Sequence, residues 1–178
     1  REWNPNRSKA AAAIEKGVDL EMEKSFEVLY LGAASGTTVS HFSDILISGF
    51  IYAVEYSETV IRQLVELAEQ RENIAPLLAN ARNPEEYSDL VGKVDIVFQD
   101  ISQSDQAEIF LKNCEEYLKK GGKGLLSVKA QSISTSRDPE EVFAEVGKKL
   151  LDSDFRILKE NKLDPHETDH LFMKLERK

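Results

Sequence analysis

Absences narrow the reading of this chain first. Its 178 residues contain a single cysteine, Cys114, so no internal disulfide can form and a reducing, cytoplasmic setting is expected. No run approaches the roughly 18 consecutive apolar residues of a membrane-spanning helix. The N-terminus, Arg1-Glu2-Trp3, is polar from the start and carries no secretory-signal layout. It also lacks an initiator Met, so an upstream segment is expected to be missing. Glycine and proline are few, 9 and 5, which excludes fibrous and low-complexity classes. Positive charge is short as well: 23 Lys and Arg against 32 Asp and Glu, a net charge of −9. A protein that grips nucleic acid alone normally carries a basic patch, because phosphate contacts supply most of the affinity. The acidic surplus lies mainly in residues 1–89, with 8 basic and 15 acidic side chains, a balance of −7. Any nucleic acid this chain meets would then have to be held by something else.

What is present is an alternation of strand and helix within a length suited to one domain, residues 1–178. An alanine-rich helix is expected over 10–16, ended by Gly17. Strands follow at 26–31, 50–55, 74–79, 94–98 and 124–129, read from apolar runs of strand length. Between them come helices at 37–46, 58–71, 84–90 and 105–118, the last closed by Lys119-Lys120-Gly121-Gly122. Asp138-Pro139 caps a further helix to Leu151. Two final strands, 155–163 and 170–175, are joined by a turn around Asp164-Pro165. The alternation predicts a parallel sheet with helices on both faces. The last two strands, with no helix between them, must pair antiparallel. The fold class is therefore α/β, an open, mostly parallel seven-stranded sheet closed by an antiparallel hairpin, as in class I methyltransferases with their Rossmann-like architecture.

Ligands of such sheets bind beyond the carboxyl ends of the strands, near the first one. Gly32-Ala33-Ala34-Ser35-Gly36-Thr37-Thr38 occupies that position. Gly32 and Gly36 permit a tight turn, and the threonines at a helix start offer hydroxyls and amides to a carboxylate. The string lacks the middle and last glycines of G-x-G-x-x-G, since 34 is Ala and 37 is Thr, which counts against NAD. Nor is it the G-x-x-x-x-G-K-S/T phosphate loop. Glu55 ends the second strand, where an acid accepts the two ribose hydroxyls of an adenosine, whether of NAD or of S-adenosylmethionine. Asn80 ends the third strand, where an acceptor for an adenine amino group belongs. Asp100 and Lys129 end the fourth and fifth strands, which should be neighbours, so their side chains are expected to meet over the crevice.

Several strings, in order along the whole chain, resemble the fibrillarin family. They are Arg1-Glu2-Trp3-Asn4-Pro5-Asn6-Arg7-Ser8-Lys9, Val28 through Thr38, Val54-Glu55-Tyr56-Ser57, Arg71-Glu72-Asn73-Ile74 and Pro84-Glu85-Glu86-Tyr87. Asp100-Ile101-Ser102-Gln103, Tyr117 through Gly122, Ser127-Val128-Lys129 and Asp169-His170 complete the set. The resemblance implies transfer of methyl groups from S-adenosylmethionine to ribose 2′-hydroxyls of rRNA and tRNA within a box C/D guide particle. A Nop-family scaffold protein, a kink-turn-binding ribosomal-type protein, the guide RNA and the target RNA are the implied partners. No membrane is involved. The implied setting is the cytoplasm for an archaeal member and the nucleolus for a eukaryotic one. Delegating RNA grip to partners would reconcile the activity with a charge of −9.

By the same resemblance, Gly32, Ala34, Thr37, Thr38, Glu55, Tyr56, Asn80, Ala81, Asp100 and Gln103 contact the cofactor. Lys9, Asp100, Lys129 and His170 form the catalytic set, without a metal. Lys129 has two roles open to it, as a base or as a cation stabilising a developing alkoxide, with Asp100 orienting it. Three departures stand out: Asn80 where the family usually has Asp, Gln99 where it has an acid, and no small N-terminal domain. Competing readings are a protein (glutamine) or small-molecule methyltransferase with the same cofactor site, a non-catalytic docking subunit of the same fold, and an NAD-binding oxidoreductase. The missing glycine and the closing hairpin disfavour the last.

Overall fold

Apolar strands alternating with amphipathic helices produce, in the computed structural model of residues 1–178, seven strands and six α-helices. A 3-10 turn at Pro5–Arg7 leads into α1 (Lys9–Glu15), followed by β1 (Glu27–Leu31), α2 (Thr37–Ile45), β2 (Phe50–Glu55), α3 (Ile61–Ala68) and β3 (Ile74–Leu78). A second 3-10 turn, Pro84–Tyr87, precedes β4 (Val94–Gln99), α4 (Gln106–Tyr117), β5 (Leu118–Lys129), α5 (Ala130–Ile133), α6 (Pro139–Leu151), β6 (Phe155–Lys162) and β7 (His170–Arg177). The sheet order is β3-β2-β1-β4-β5-β7-β6. The first five strands run parallel, and β7 inserts antiparallel between β5 and β6. The expected architecture, closing hairpin included, is what forms.

Local departures from expectation have local causes. The segment 84–90 forms only a 3-10 turn, Pro84–Tyr87, instead of a helix, and α3 is shorter than 58–71. Lys119 to Gly122 do not close α4. They belong to β5, where Leu118 pairs with Val94 and Lys123 with Ile96. The extra residues are accommodated by an irregular register, with Gly121 in the left-handed region at φ 73°. A single-turn helix, α5, follows β5 where none was expected. At the N-terminus the Ser8 hydroxyl caps α1 by accepting the Ala11 N–H, so the helix begins at Lys9.

The two faces of the sheet bury separate cores. On one, Leu29, Leu31, Val97, Leu126 and Met173 pack with Phe110 of α4 and Val142 of α6. On the other, Val28, Tyr30, Phe98, Leu125 and Phe172 pack with the alanines of α1, Phe42 of α2 and Leu64 of α3. Phe98 is the hub of this second core. Its ring lies 4.6 Å from that of Tyr30, 5.2 Å from Phe42 in a T-shaped arrangement, and 6.1 Å from Phe172. Asp100 and Lys129 lie further along the strands with the same parity as Phe98 and Leu125, so they are carried to the α1 side at the strand ends.

Replacing Phe98 by Ala should cost about 3–5 kcal/mol, as for other fully buried rings. Urea denaturation is the check: the midpoint should fall at unchanged m value, and a loss below about 1 kcal/mol would contradict this packing.

Candidate active site

A cavity of about 390 Å³ opens at the carboxyl ends of β1 to β4. Its wall includes Gly32, Ala34, Glu55, Tyr56, Asn80, Ala81, Asp100 and Gln103, together with Arg82 and Ile101. The turn after β1 reaches this place only because residue 32 has no side chain. Gly32 has φ 81°, and a Cβ there would sit 2.4 Å from the Asp100 carbonyl oxygen. The end of β4 and the turn after β1 are thus in backbone contact. Ala34 also takes a left-handed conformation, φ 49°, which non-glycine residues rarely adopt.

Glu55 is buried, and both carboxylate oxygens are oriented by the backbone. Oε2 accepts the Ala34 N–H and Oε1 the Ser57 N–H, each at 2.9 Å. Each oxygen keeps a lone pair, the arrangement that suits a vicinal pair of ribose hydroxyls. The Asn80 side-chain oxygen Oδ1 accepts the Arg82 backbone N–H at 3.1 Å, and the Asn80 backbone N–H donates to the Glu86 carboxylate. The Asn80 side chain therefore shapes the turn it sits on, a role the amide fills without the charge of an aspartate. Beneath it, the buried Asn113 of α4 donates to the Ala81 carbonyl at 2.8 Å and accepts from the Tyr87 hydroxyl.

The cavity has a clamp that sequence reasoning missed. The Arg82 guanidinium grips Asp105 with two bonds, of 2.8 and 2.7 Å, and Gln103 with a third, of 2.8 Å. These bonds from Arg82 hold the Asp105 carboxyl below its ordinary pKa. Nothing in the sequence signals a pair that joins two loops 23 positions apart. Thr37 and Thr38 lie outside the cavity wall. Thr38 is buried, with its hydroxyl 2.8 Å from that of Ser8, so it joins the first turn of α2 to the cap of α1.

That link helps to place Lys9. Its ammonium sits 3.1 Å from each carboxylate oxygen of Asp100 and 4.0 Å from Glu167. Asp100 is therefore shared: it forms part of the cavity wall and carries the ion pair. The expected meeting of Asp100 with Lys129 does not occur, and Asp100 pairs with Lys9 instead. The reason is register. β4 ends opposite Leu126, and Lys129 lies three residues further along β5. Its ammonium has no carboxylate within 4.0 Å. Lys129 stands opposite His170 across the β5–β7 pair. His170 is buried, with Nδ1 donating to the Thr168 carbonyl at 2.8 Å and 3.9 Å from Glu167. Glu167, also missed in the sequence, lies between Lys9 and His170. Lys9, Asp100 and His170 are thus linked beside the cavity through Asp100 and Glu167, while Lys129 is related to them only by facing His170 across the β5–β7 pair. Gln99 points to the opposite face, wholly buried, and donates to the Gln106 carbonyl at 2.6 Å. An uncharged amide suits that burial better than an acid.

Comparison with known proteins agrees with this geometry. The family model described as Fibrillarin matches residues 1–178. A curated "Fibrillarin-like rRNA/tRNA 2′-O-methyltransferase" from Archaeoglobus fulgidus is 50% identical over 173 residues, covering 97% of this chain and 82% of that protein. A solved fibrillarin/Nop5p complex superposes with a TM-score of 0.97 at 49% identity, covering 100% of this chain and 85% of that one. Aeropyrum pernix fibrillarin, solved with natively bound S-adenosyl-L-methionine, gives a TM-score of 0.91 at 42% identity, covering 98% of this chain and 77% of that one. The seven-stranded sheet with its closing hairpin is that of the S-adenosylmethionine-dependent methyltransferases, and the chain belongs to the fibrillarin family.

Proposed function

We propose that this chain transfers the methyl group of S-adenosylmethionine to ribose 2′-hydroxyls of rRNA and tRNA, as the catalytic subunit of a box C/D guide ribonucleoprotein. The observation that carries the reading is the Lys9–Asp100 ion pair at the cavity wall, with Glu167 between Lys9 and His170 and with Lys129 facing His170 across the β5–β7 pair. Residues 1–178 would form the methyltransferase domain, working in the cytoplasm of an archaeal cell. A Nop-family scaffold, a kink-turn-binding protein and the guide RNA would hold the target. That division of labour suits a chain of net charge −9, since base pairing rather than this surface selects the nucleotide. The solved relative bound to Nop5p supports a scaffold partner.

The cavity residues fit the cofactor by their chemistry. Glu55 would take the ribose hydroxyls, Asn80 and Ala81 the adenine side, and Asp100 the end nearest the transferred group. Bound S-adenosylmethionine supplies a methyl group carried on a positively charged sulfonium. The Arg82–Asp105 clamp holds Gln103, and with it the loop after β4, in place over the cavity. Asp100 would offer its negative charge to that cationic group, and it fixes Lys9 beside the cavity wall. Lys129, with no carboxylate within 4.0 Å, would meet the 2′-hydroxyl either as its base or as a cation stabilising the developing alkoxide. His170 supports it from the facing strand. Most of the acceleration comes from holding the hydroxyl oriented toward the cavity.

Each of these roles has a measurement that checks it. Methyl transfer to a guide-paired RNA should require the scaffold protein, and activity of the lone chain would remove the partner argument. Lys129→Ala should slow single-turnover transfer by about 10²–10⁴-fold while leaving S-adenosylhomocysteine affinity, measured by calorimetry, within about threefold. Arg82→Ala should weaken S-adenosylhomocysteine binding about tenfold. Because the Asp105 pKa is depressed, the clamp is intact above the ordinary value of 3.8 and is lost as pH falls through the lower one. Wild-type affinity should therefore be level between about pH 8 and 5, and a decline within that window would discount the clamp.

A further inference from the structure

Gln106, the first residue of α4, is wholly buried beside the site, yet it contributes neither to the cavity wall nor to the ion pairs. Its side-chain amide is fully engaged. Oε1 accepts the Lys129 N–H at 3.0 Å, while Nε2 donates to the Lys129 carbonyl at 3.2 Å and to the Gln103 carbonyl at 2.8 Å. The demand for these bonds follows from the sheet. Pairing of β4 with β5 stops at Gln99 opposite Leu126, so the Lys129 backbone has no strand on that side. Its other side belongs to β7, where the next N–H, that of Ala130, donates to Asp169 at 3.1 Å. A buried peptide group left without a partner is costly, and the glutamine amide supplies both bonds that a longer β4 would have made. Gln106 is itself anchored, because the buried Gln99 donates to its carbonyl at 2.6 Å.

We propose that Gln106 is a positioning residue for methyl transfer: it sets where the Lys129 side chain leaves the sheet and holds that point against the cofactor loop at Gln103. The role rests on reading Lys129 as the amine that meets the ribose oxygen. Gln106 touches no reacting atom. It acts on the main chain of a residue whose side chain must reach the hydroxyl, and reactions of this kind lose rate steeply with small misplacements. One amide thus couples the loop that closes the cavity to the lysine that completes the site.

The test is a double-mutant cycle in the assembled guide particle. Gln106→Met keeps the side-chain length and removes all three bonds. Single-turnover methylation at saturating cofactor should slow by about 10- to 100-fold, with S-adenosylhomocysteine affinity changed less than about threefold. In a Lys129→Ala background the same substitution should slow the residual reaction by less than about threefold, because the group it positions is gone. A loss due only to weakened structure would appear equally in both backgrounds. If Gln106→Met does not fold, Gln106→Glu, which keeps the acceptor for the Lys129 N–H, is read through the same cycle. Equal losses in the two backgrounds, or a slowdown accounted for by weaker cofactor binding, overturn the proposal. A wild-type particle that transfers no methyl group, or Lys129→Ala at wild-type rate, overturns the functional reading itself and the role of Gln106 with it.

Discussion

The contact between Lys9 and Asp100 is the constraint on which the site depends. It joins the N-terminal helix, which lies outside the strand–helix alternation, to the end of the central strand β4. Both side chains are about four-fifths buried, at 19% and 23% exposure, so neither charge is fully hydrated and each needs the other. Around them the geometry is crowded at backbone level. The Asp100 N–H donates to Leu31 at 3.0 Å, and Gly32 leaves room for the Asp100 carbonyl. The turn after β1, the end of β4 and the start of α1 therefore form one unit. Glu167 extends this unit to the β6–β7 loop by lying near both Lys9 and His170.

Much of the architecture was legible in the sequence because parallel strands buried on both faces read as plain apolar runs. The residues at their ends then fell at one edge of the sheet by topology alone. That is why Gly32, Glu55, Asn80 and Asp100 were legible as one site before any coordinates. What the sequence did not reveal were relations fixed by register and by loops. The pairing of Asp100 with Lys9 rather than Lys129 depends on where β4 stops, a difference of three residues along β5. The Arg82–Asp105 clamp joins two irregular segments with no periodicity to announce it. Gln106 reads as an ordinary first-turn helix residue, and only its burial against Lys129 distinguishes it. Lys119 to Gly122 carry a helix-stop pattern, but pairing of the flanking Leu118 and Lys123 with β4 draws them into a strand with a glycine bulge.

The charge distribution follows the same logic. Basic side chains near the site are largely committed: Lys9 to Asp100, and Arg82 to Asp105. Little free positive charge remains there to hold a polyanion, and Lys129 is the notable exception. A site of this kind is selective through shape and through what is brought to it, not through attraction at a distance. Electrostatic steering of RNA would have to come from other chains of an assembly.

The position of β7 has a temporal consequence. It follows β6 along the chain, yet it sits inside the sheet between β5 and β6, and His170 opens it. A nascent chain that has released β1 through β5 already has its glycine turn, Glu55, Asp100 and Lys129, with one flank of β5 still bare. The rung that sets Lys129 opposite His170, and the loop carrying Glu167 toward Lys9, arise only once residues 163–177 have left the ribosome. During synthesis the wall of the cavity would therefore be in place before β7 reaches the flank of β5 and brings His170 opposite Lys129.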